Sequence, residues 1–328
     1  MRANIPRRMF LKLASSAAAL PWLPRAAHAQ SYPSRFVRLI VPFPPGGGGD
    51  ALARPLAQRL SEVWGQQVIV ENRGGAGGNV GAYQAANAPP DGYTLLLGAA
   101  YLSINPALYP TSGYSPFTDL APISLLTIIP NVMMVSNSSP VHSVREFIDH
   151  AKANRGSVTF ASTGIGASPH LSGELFKRMA GIEMTHVPYK GPAPAMQDVI
   201  GGQVDCGFLA GPTVLPHVRS GKLVALAVSG AQRSALLPEV PTVAEAGYPG
   251  FDATFSLVLF APKGTPKPIV DAMAKALDGA LRQPDVVERL RLSDQTVVAA
   301  SPDDSATRLA TDAKTWGAVV KRIGLQPD

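Results

Sequence analysis

Between residues 36 and 60 the sequence changes character twice, and that junction limits what the chain can fold into. Residues 36–41 are a short β-rich run, Pro42-Phe43-Pro44-Pro45-Gly46-Gly47-Gly48-Gly49-Asp50 breaks it, and Leu52, Leu56 and Leu60 then fall on one face of a helix. A strand, a glycine loop and a helix in that order let backbone N–H groups approach a bound group, with the positive end of the helix dipole behind them. Such a junction suits an anion. A loop shaped only by tight strand–helix packing would show the same glycines. Gly46, Gly48 and Ala51 also satisfy G-x-G-x-x-A, with Glu71 at the end of the next strand, which outlines a dinucleotide site. Prolines 42, 44 and 45 lengthen and stiffen the turn where a dinucleotide fold makes a tight one.

The same order recurs down the chain. Residues 68–70 read as a strand, Gly74-Gly75-Ala76-Gly77-Gly78 as a loop, residues 80–87 as a short helix, and residues 93–97 as a third strand after Pro90-Asp91-Gly92. A second unit restarts at Val158, with strand 158–161, loop Ser162-Thr163-Gly164-Ile165-Gly166-Ala167-Ser168, a helix carrying Leu171, Leu175 and Met179, and strand 184–187. It continues through Tyr189-Lys190-Gly191-Pro192 and helix 193–200, then strand 204–209, helix 214–220 and strand 223–228. Alternating strands and helices predict parallel sheets covered on both faces. Residues 123–135 carry the chain out of the first unit, and residues 253–260 carry it back, with C-terminal helices outside. The expected organisation is therefore α/β, with lobe 1 made of residues 30–131 plus 255–328 and lobe 2 of residues 132–254. Two lobes joined by two crossing strands, with a cleft between, is the plan of a hinge-closing binding protein.

Composition narrows the class further. The 328 residues are 46 % hydrophobic and 16 % charged, which excludes a disordered chain, and no apolar run approaches the roughly 20 residues of a membrane span. A single cysteine, Cys206, excludes an internal disulfide framework and reads as a small buried hydrophobe. Residues 1–29 read as an export signal: Arg2, Arg7 and Arg8 precede an apolar stretch, and Ala27-His28-Ala29 is a small-x-small cleavage pattern. Arg7-Arg8-Met9-Phe10-Leu11-Lys12 fits the twin-arginine pattern, with Sec export the alternative route. Cleavage removes five of the 29 basic residues and no acid, leaving 24 against 23 acids. A near-neutral mature chain has no charge excess to drive nucleic-acid binding.

Side chains in the second loop carry hydroxyls. Ser162, Thr163 and Ser168, around Gly164 and Gly166, can donate to an oxygen-rich ligand, and Ser168 before Pro169 can equally cap the helix. Asp50 can recognise an amino group or cap its helix. Ser168 and His170 are two apart at a helix start, which does not aim them at each other, and no G-x-S-x-G is present. His142, His150, His186 and His217 have no metal-ligand spacing, so neither a metal nor another cofactor is expected.

Ordered blocks along the mature chain carry a resemblance. Val41 to Asp50 with Ala53-Arg54, Gly65-Gln66-Gln67-Val68-Ile69-Val70-Glu71-Asn72-Arg73, Pro90-Asp91-Gly92-Tyr93-Thr94-Leu95-Leu96, Val187-Pro188-Tyr189-Lys190-Gly191, Gly201-Gly202-Gln203-Val204-Asp205 and Ala261-Pro262-Lys263-Gly264-Thr265-Pro266 resemble the substrate-binding receptors of tripartite tricarboxylate transporters, the Bug receptors. The resemblance implies a type II periplasmic-binding-protein fold, the Venus flytrap, with small carboxylates held by backbone groups and ordered water. It implies first-lobe contacts from Phe43, Pro45, Gly46, Gly47 and Gly48 and from Ala99, Ala100 and Tyr101. On the second lobe it implies Ser162, Thr163, Gly164 and Ser168, the Tyr189-Lys190-Gly191 turn, and the strand end from Phe208 to Ala210. Tyr101 and Phe208 can flank an aromatic ring or belong to hinge-side core. The expected function is a monomeric periplasmic receptor, not an enzyme, that captures a small organic carboxylate and delivers it to an inner-membrane permease. The alternatives are a ligand sensor for a signalling protein and an exported nucleotide-dependent enzyme.

Overall fold

A computed structural model describes residues 32–42, 45, 48–99, 101–109 and 111–323. The export-signal segment and the candidates Phe43, Gly46, Gly47 and Ala100 lie outside the described residues. Strand β1 (Val37–Val41) is apolar at four of its five positions and those four are buried, as a strand covered on both faces requires. Helix α1 (Gly48–Trp64) follows and sinks Leu52, Leu56 and Leu60 into the core, the single apolar face its 3.6-residue spacing predicts. Strand β2 (Val68–Asn72), helix α2 (Asn79–Ala86), strand β3 (Thr94–Ala99) and helix α3 (Tyr101–Leu108) complete the first series, and β2 and β3 pair in parallel on either side of β1.

Strand β4 (Leu120–Ile129) runs through Pro130 directly into β5 (Asn131–Ser136), which belongs to a second sheet. That sheet is built with helix α4 (Val144–Ala153), strand β6 (Thr159–Ser162), helix α5 (Ser168–Ala180), strand β7 (Thr185–Pro188), helix α6 (Pro192–Ile200), strand β8 (Cys206–Ala210), helix α7 (Gly211–Arg219) and strand β9 (Leu223–Val228). The chain returns as β10 (Phe255–Pro262) and ends with helices α8 (Lys267–Leu281) and α9 (Pro284–Leu292), the short strand β11 (Thr296–Val297) and helix α10 (Pro302–Ile323). Strand order is β11-β4-β10-β3-β1-β2 in the first sheet and β7-β6-β8-β5-β9 in the second.

The alternating grammar predicts parallel sheets, but the sheets are mixed. β10 is antiparallel to β3 and β4, and β5 is antiparallel to β8 and β9. The cause is the double crossing: β4 leaves for the other sheet and β10 comes back from it, so side by side they must run in opposite directions.

The tail also departs from its expected place. α8 packs on α1 and β4, but α10, at about 1.5 Å per residue, is long enough to touch both sheets. Leu309 joins the apolar core of the first sheet, whereas Trp316, Val319 and Val320 join Phe147, Phe160 and Phe176 in the core of the second. No helix among the described residues is long and apolar enough to cross a membrane.

Candidate functional site

Strand register shows where the loops converge. In the first sheet Ala99, at the end of β3, is opposite Leu257, and Phe255, at the start of β10, is opposite Ile129. In the second, Asn131 is opposite Ala210, at the end of β8, and β6 runs parallel to β8, so Ser162 lies at that same end. The carboxyl ends of β1 and β3 and those of β6 and β8 therefore all open toward the crossing at Pro130. Ligand crevices of α/β sheets form at such ends.

On the first lobe, Pro45 is exposed and Gly48 begins α1. Asp50 is not free to meet a ligand amine. It is buried in the first turn of α1, where its Oδ2 accepts a 2.8 Å bond from Arg54 Nε and its Oδ1 a 3.2 Å bond from Asn72 Nδ2. A carboxylate there complements the helix dipole. Ala99 is buried, and the chain turns at once into α3, whose first residue is Tyr101. A Cβ at Gly98 would collide with Leu102 and Phe260, so glycine alone lets β3 turn this closely.

On the second lobe, the Ser162 hydroxyl is spent within its own loop rather than offered to the cleft. It is fully buried, accepts the Gly164 N–H at 3.2 Å, donates to Gly164 O at 3.1 Å and lies 2.7 Å from His186 Nε2. Thr163 and Gly164 are half-buried; the Thr163 hydroxyl makes no hydrogen bond among the described residues, and Gly164 adopts a φ of 138°. Ser168 is the first residue of α5, not its cap: Ala167 stands at the cap with no side-chain bond. Ser168 Oγ accepts a 2.8 Å bond from Asn131 Nδ2 and so keeps its own proton to donate. His170 is buried beneath the loop, away from Ser168, so the two form no nucleophile–base pair.

The Tyr189-Lys190-Gly191 turn lies beside this loop through the bond from Tyr189 N to Ser162 O at 3.1 Å. Burial, and then a 2.6 Å bond to Asp198, push the Tyr189 phenol up to about 12, so it stays protonated and fixed. Lys190 is exposed and makes no ion pair among the described residues, and Gly191 caps α6 with φ 108°. Ala210 caps α7 and is half-buried. Of the two places open to the Phe208 ring, flanking a ligand or lying in core, the structure shows core. The ring is fully buried, edge-on to Phe160 and tilted on Phe176, in the interior of the second lobe.

Asn131 was not singled out from sequence, yet it ties the hinge to the loop. Its amide donates to Ser168 Oγ and Ser172 Oγ, its backbone N–H donates to Ser229 Oγ at 2.8 Å, and Ser172 and Ser229 both donate to Ala253 O. Asn131 and Ala253 lie on the two different crossings. The signal available in the sequence is one polar residue inside an otherwise apolar run from Ile128 to Val135.

Two α/β lobes joined by two crossings, with strand ends of both sheets opening toward the crossing, define a hinge-type solute-binding protein. Residues 52–325 match the tripartite tricarboxylate transporter family receptor, TctC, and the chain belongs to that family. It is 40 % identical over 298 residues to the protein BugT of Bordetella pertussis, covering 90 % of this chain and 91 % of that one. Among solved structures, an R. palustris protein with adipate is 36 % identical, with a TM-score of 0.77 over 90 % of this chain and 100 % of that one. MatC from Rhodopseudomonas palustris with bound malate is 34 % identical, with a TM-score of 0.73 over 88 % of this chain and 100 % of that one.

Proposed function

We propose that this protein is a periplasmic receptor that captures a small organic carboxylate between its lobes and hands it to a membrane permease. The observation that carries the reading is the convergence of the β1, β3, β6 and β8 ends on one crossing, with the N-termini of α1 and α5 behind them and the hydroxyls of Thr163 and Ser168 able to donate. Neutral donors suffice for a carboxylate, because each charge-assisted bond contributes on the order of 1.5–3 kcal/mol. Ligand contacts with both lobes exist only when the lobes are together, so binding favours the closed state. That closed form is what a permease can distinguish from the empty receptor. The protein works as a monomer, without a cofactor, and performs no chemistry. The adipate and malate in the related structures support the ligand class.

Thermal unfolding of residues 30–328 against mono-, di- and tricarboxylates, aromatic acids, amino acids and nucleotides tests this. A ligand at about 100-fold over its Kd adds roughly 2.7 kcal/mol, which raises the midpoint of a protein this size by several degrees. A carboxylate is expected to do so. A response to nucleotides alone would overturn the reading.

A further inference from the structure

Behind the second-lobe loop lies a pair of imidazoles, His170 buried and His186 half-buried, that ligand capture leaves unused. His170, in the first turn of α5, and His186, on β7, stack with centroids 3.8 Å apart and planes 11° apart, and Phe160 stacks on both. His170 Nδ1 is 3.0 Å from Gly166 N and accepts its N–H. An accepting Nδ1 carries no proton, so neutral His170 holds its hydrogen on Nε2, which faces Glu174 Oε1 at 4.0 Å. On the other ring, Nε2 of His186 meets Ser162 Oγ at 2.7 Å; with Ser162 donating to Gly164 O, His186 also carries its hydrogen on Nε2. One ring therefore grips the start of the loop and the other its end.

The loop needs such a grip. Gly164 and Gly166 adopt φ of 138° and 75°, and glycine gives the backbone its greatest freedom there. Between them Ile165 is exposed. We propose that His170 and His186 are positioning residues that, as a stacked neutral pair, fix the backbone of residues 162–168 and so set the receptor's affinity for its ligand. This rests on the reading that the loop contacts the ligand.

A proton added to His170 Nδ1 would set N–H against N–H at Gly166, and a second positive ring at 3.8 Å would be repelled. The charged groups facing the pair make protonation harder still. Lys177 Nζ, bonded to Glu174 Oε1 at 2.8 Å and to Met184 O at 3.3 Å, lies on the side of the pair and holds Glu174 in an ion pair. Burial first, then His186 and Lys177, hold His170 down to about 3; burial and then Lys177 hold His186 down to about 4. The loop is thereby insulated from mild acid.

The test begins on the ligand-free protein, so it is independent of the receptor reading. Ring 15N shifts should show His170 unprotonated at Nδ1 and protonated at Nε2 between pH 8 and pH 5. His170→Asn keeps an acceptor where Nδ1 stood, and His170→Leu removes it. In His170→Leu the Gly166 amide should exchange about tenfold faster, the order of one lost hydrogen bond, while His170→Asn stays near wild type. Titration with malate and adipate as probes should then show weakened binding in His170→Leu and retained binding in His170→Asn. A proton on His170 Nδ1 in the wild type, or unchanged Gly166 exchange in His170→Leu, would overturn the proposal. Equal affinity in all three proteins would do the same. Failure of the wild type to bind either probe would count against the carboxylate reading and leave the exchange data to decide this one.

Discussion

Asp294 Oδ1 accepts a 2.6 Å hydrogen bond from Ser234 Oγ, joining the segment between α9 and β11 to the segment after β9, and so one lobe to the other. Asp294 is buried and holds a φ of 53°, a left-handed conformation that favours glycine over aspartate. Its Oδ2 has no hydrogen-bond partner among the described residues and packs against Gly211, the first residue of α7. The helix dipole there favours a negative group. Burial pushes the Asp294 carboxyl up, and the Ser234 bond opposes that shift. The first turn of α7 is thus packed against a side chain from the other lobe.

Gly211 is consequently constrained by the opposite lobe. A Cβ at that position would collide with the Asp294 carboxylate, and overpacking of this kind costs about 1–3 kcal/mol. Gly211→Ala should lower the urea midpoint accordingly. Asp294→Ala should also destabilise, by removing the Ser234 partner, but in the double variant the collision is gone. The two losses should therefore combine to less than their sum. Strict additivity in the double-mutant cycle would mean that the two residues do not meet.

Stability should fall as the medium is acidified from about pH 6.5 toward pH 4. His170 and His186 titrate near 6.5 when unfolded but are held to about 3 and about 4 when folded. Between those values the unfolded chain binds more protons, so the contribution of the pair is full above 6.5 and declines as pH drops. Asp294 and Asp312, whose carboxyls burial pushes above 3.8, act in the opposite sense just above that value. Urea midpoints of wild type and His170→Asn across this range check the sign. The variant, with one fewer titrating ring, should show the shallower decline, and parallel curves would refute the assignment.

What the sequence discloses and what it hides divide along local and non-local lines. β1 and α1 were legible because burial repeats with the periods of strand and helix, and Leu52, Leu56 and Leu60 are all in the core. The sense of β10 was not, since it depends on which sheet the chain returns from. For Phe208 the resemblance implies the cleft while core remains the alternative, and a strand buried on both faces has no alternation that could decide between them. The inward turn of Ser162 depends on His186, 24 residues away on a neighbouring strand, and no local pattern records it. Asn131 matters through Ser168, Ser172 and Ser229, partners that only the folded hinge brings together.

Trp316 offers a test of α10 as a strap between lobes. It is 4 % exposed and packs in the same apolar core as Phe147 and Phe176, although its helix begins against the first sheet, where Ser305 Oγ accepts the Leu125 N–H at 2.6 Å. Trp316→Ala should cost about 3–5 kcal/mol, as truncation of a buried tryptophan does. The loss should appear as faster amide exchange in β5 and α5 of the second lobe. Fraying confined to the end of α10, with β5 and α5 as protected as before, would show that the helix is not part of that core.

The hinge residue Asn131 should govern affinity without touching the fold's apolar core. Its amide supplies both protons to Ser168 and Ser172, which leaves the Ser168 hydroxyl proton available to a ligand. Asn131→Asp reverses that polarity: the carboxylate accepts, Ser168 turns its proton inward, and a negative charge is set beside the site of a carboxylate ligand. Losing one charge-assisted bond and adding like-charge repulsion should weaken carboxylate binding by about 100-fold or more. Asn131→Ser, which keeps a neutral donor, should weaken it less. Calorimetric titration of the three proteins with the carboxylate that raises the unfolding midpoint is the measurement. Equal affinities would show that Ser168 donates nothing to the ligand, and the second-lobe half of the site would then have to be sought at Thr163 and the Tyr189-Lys190-Gly191 turn.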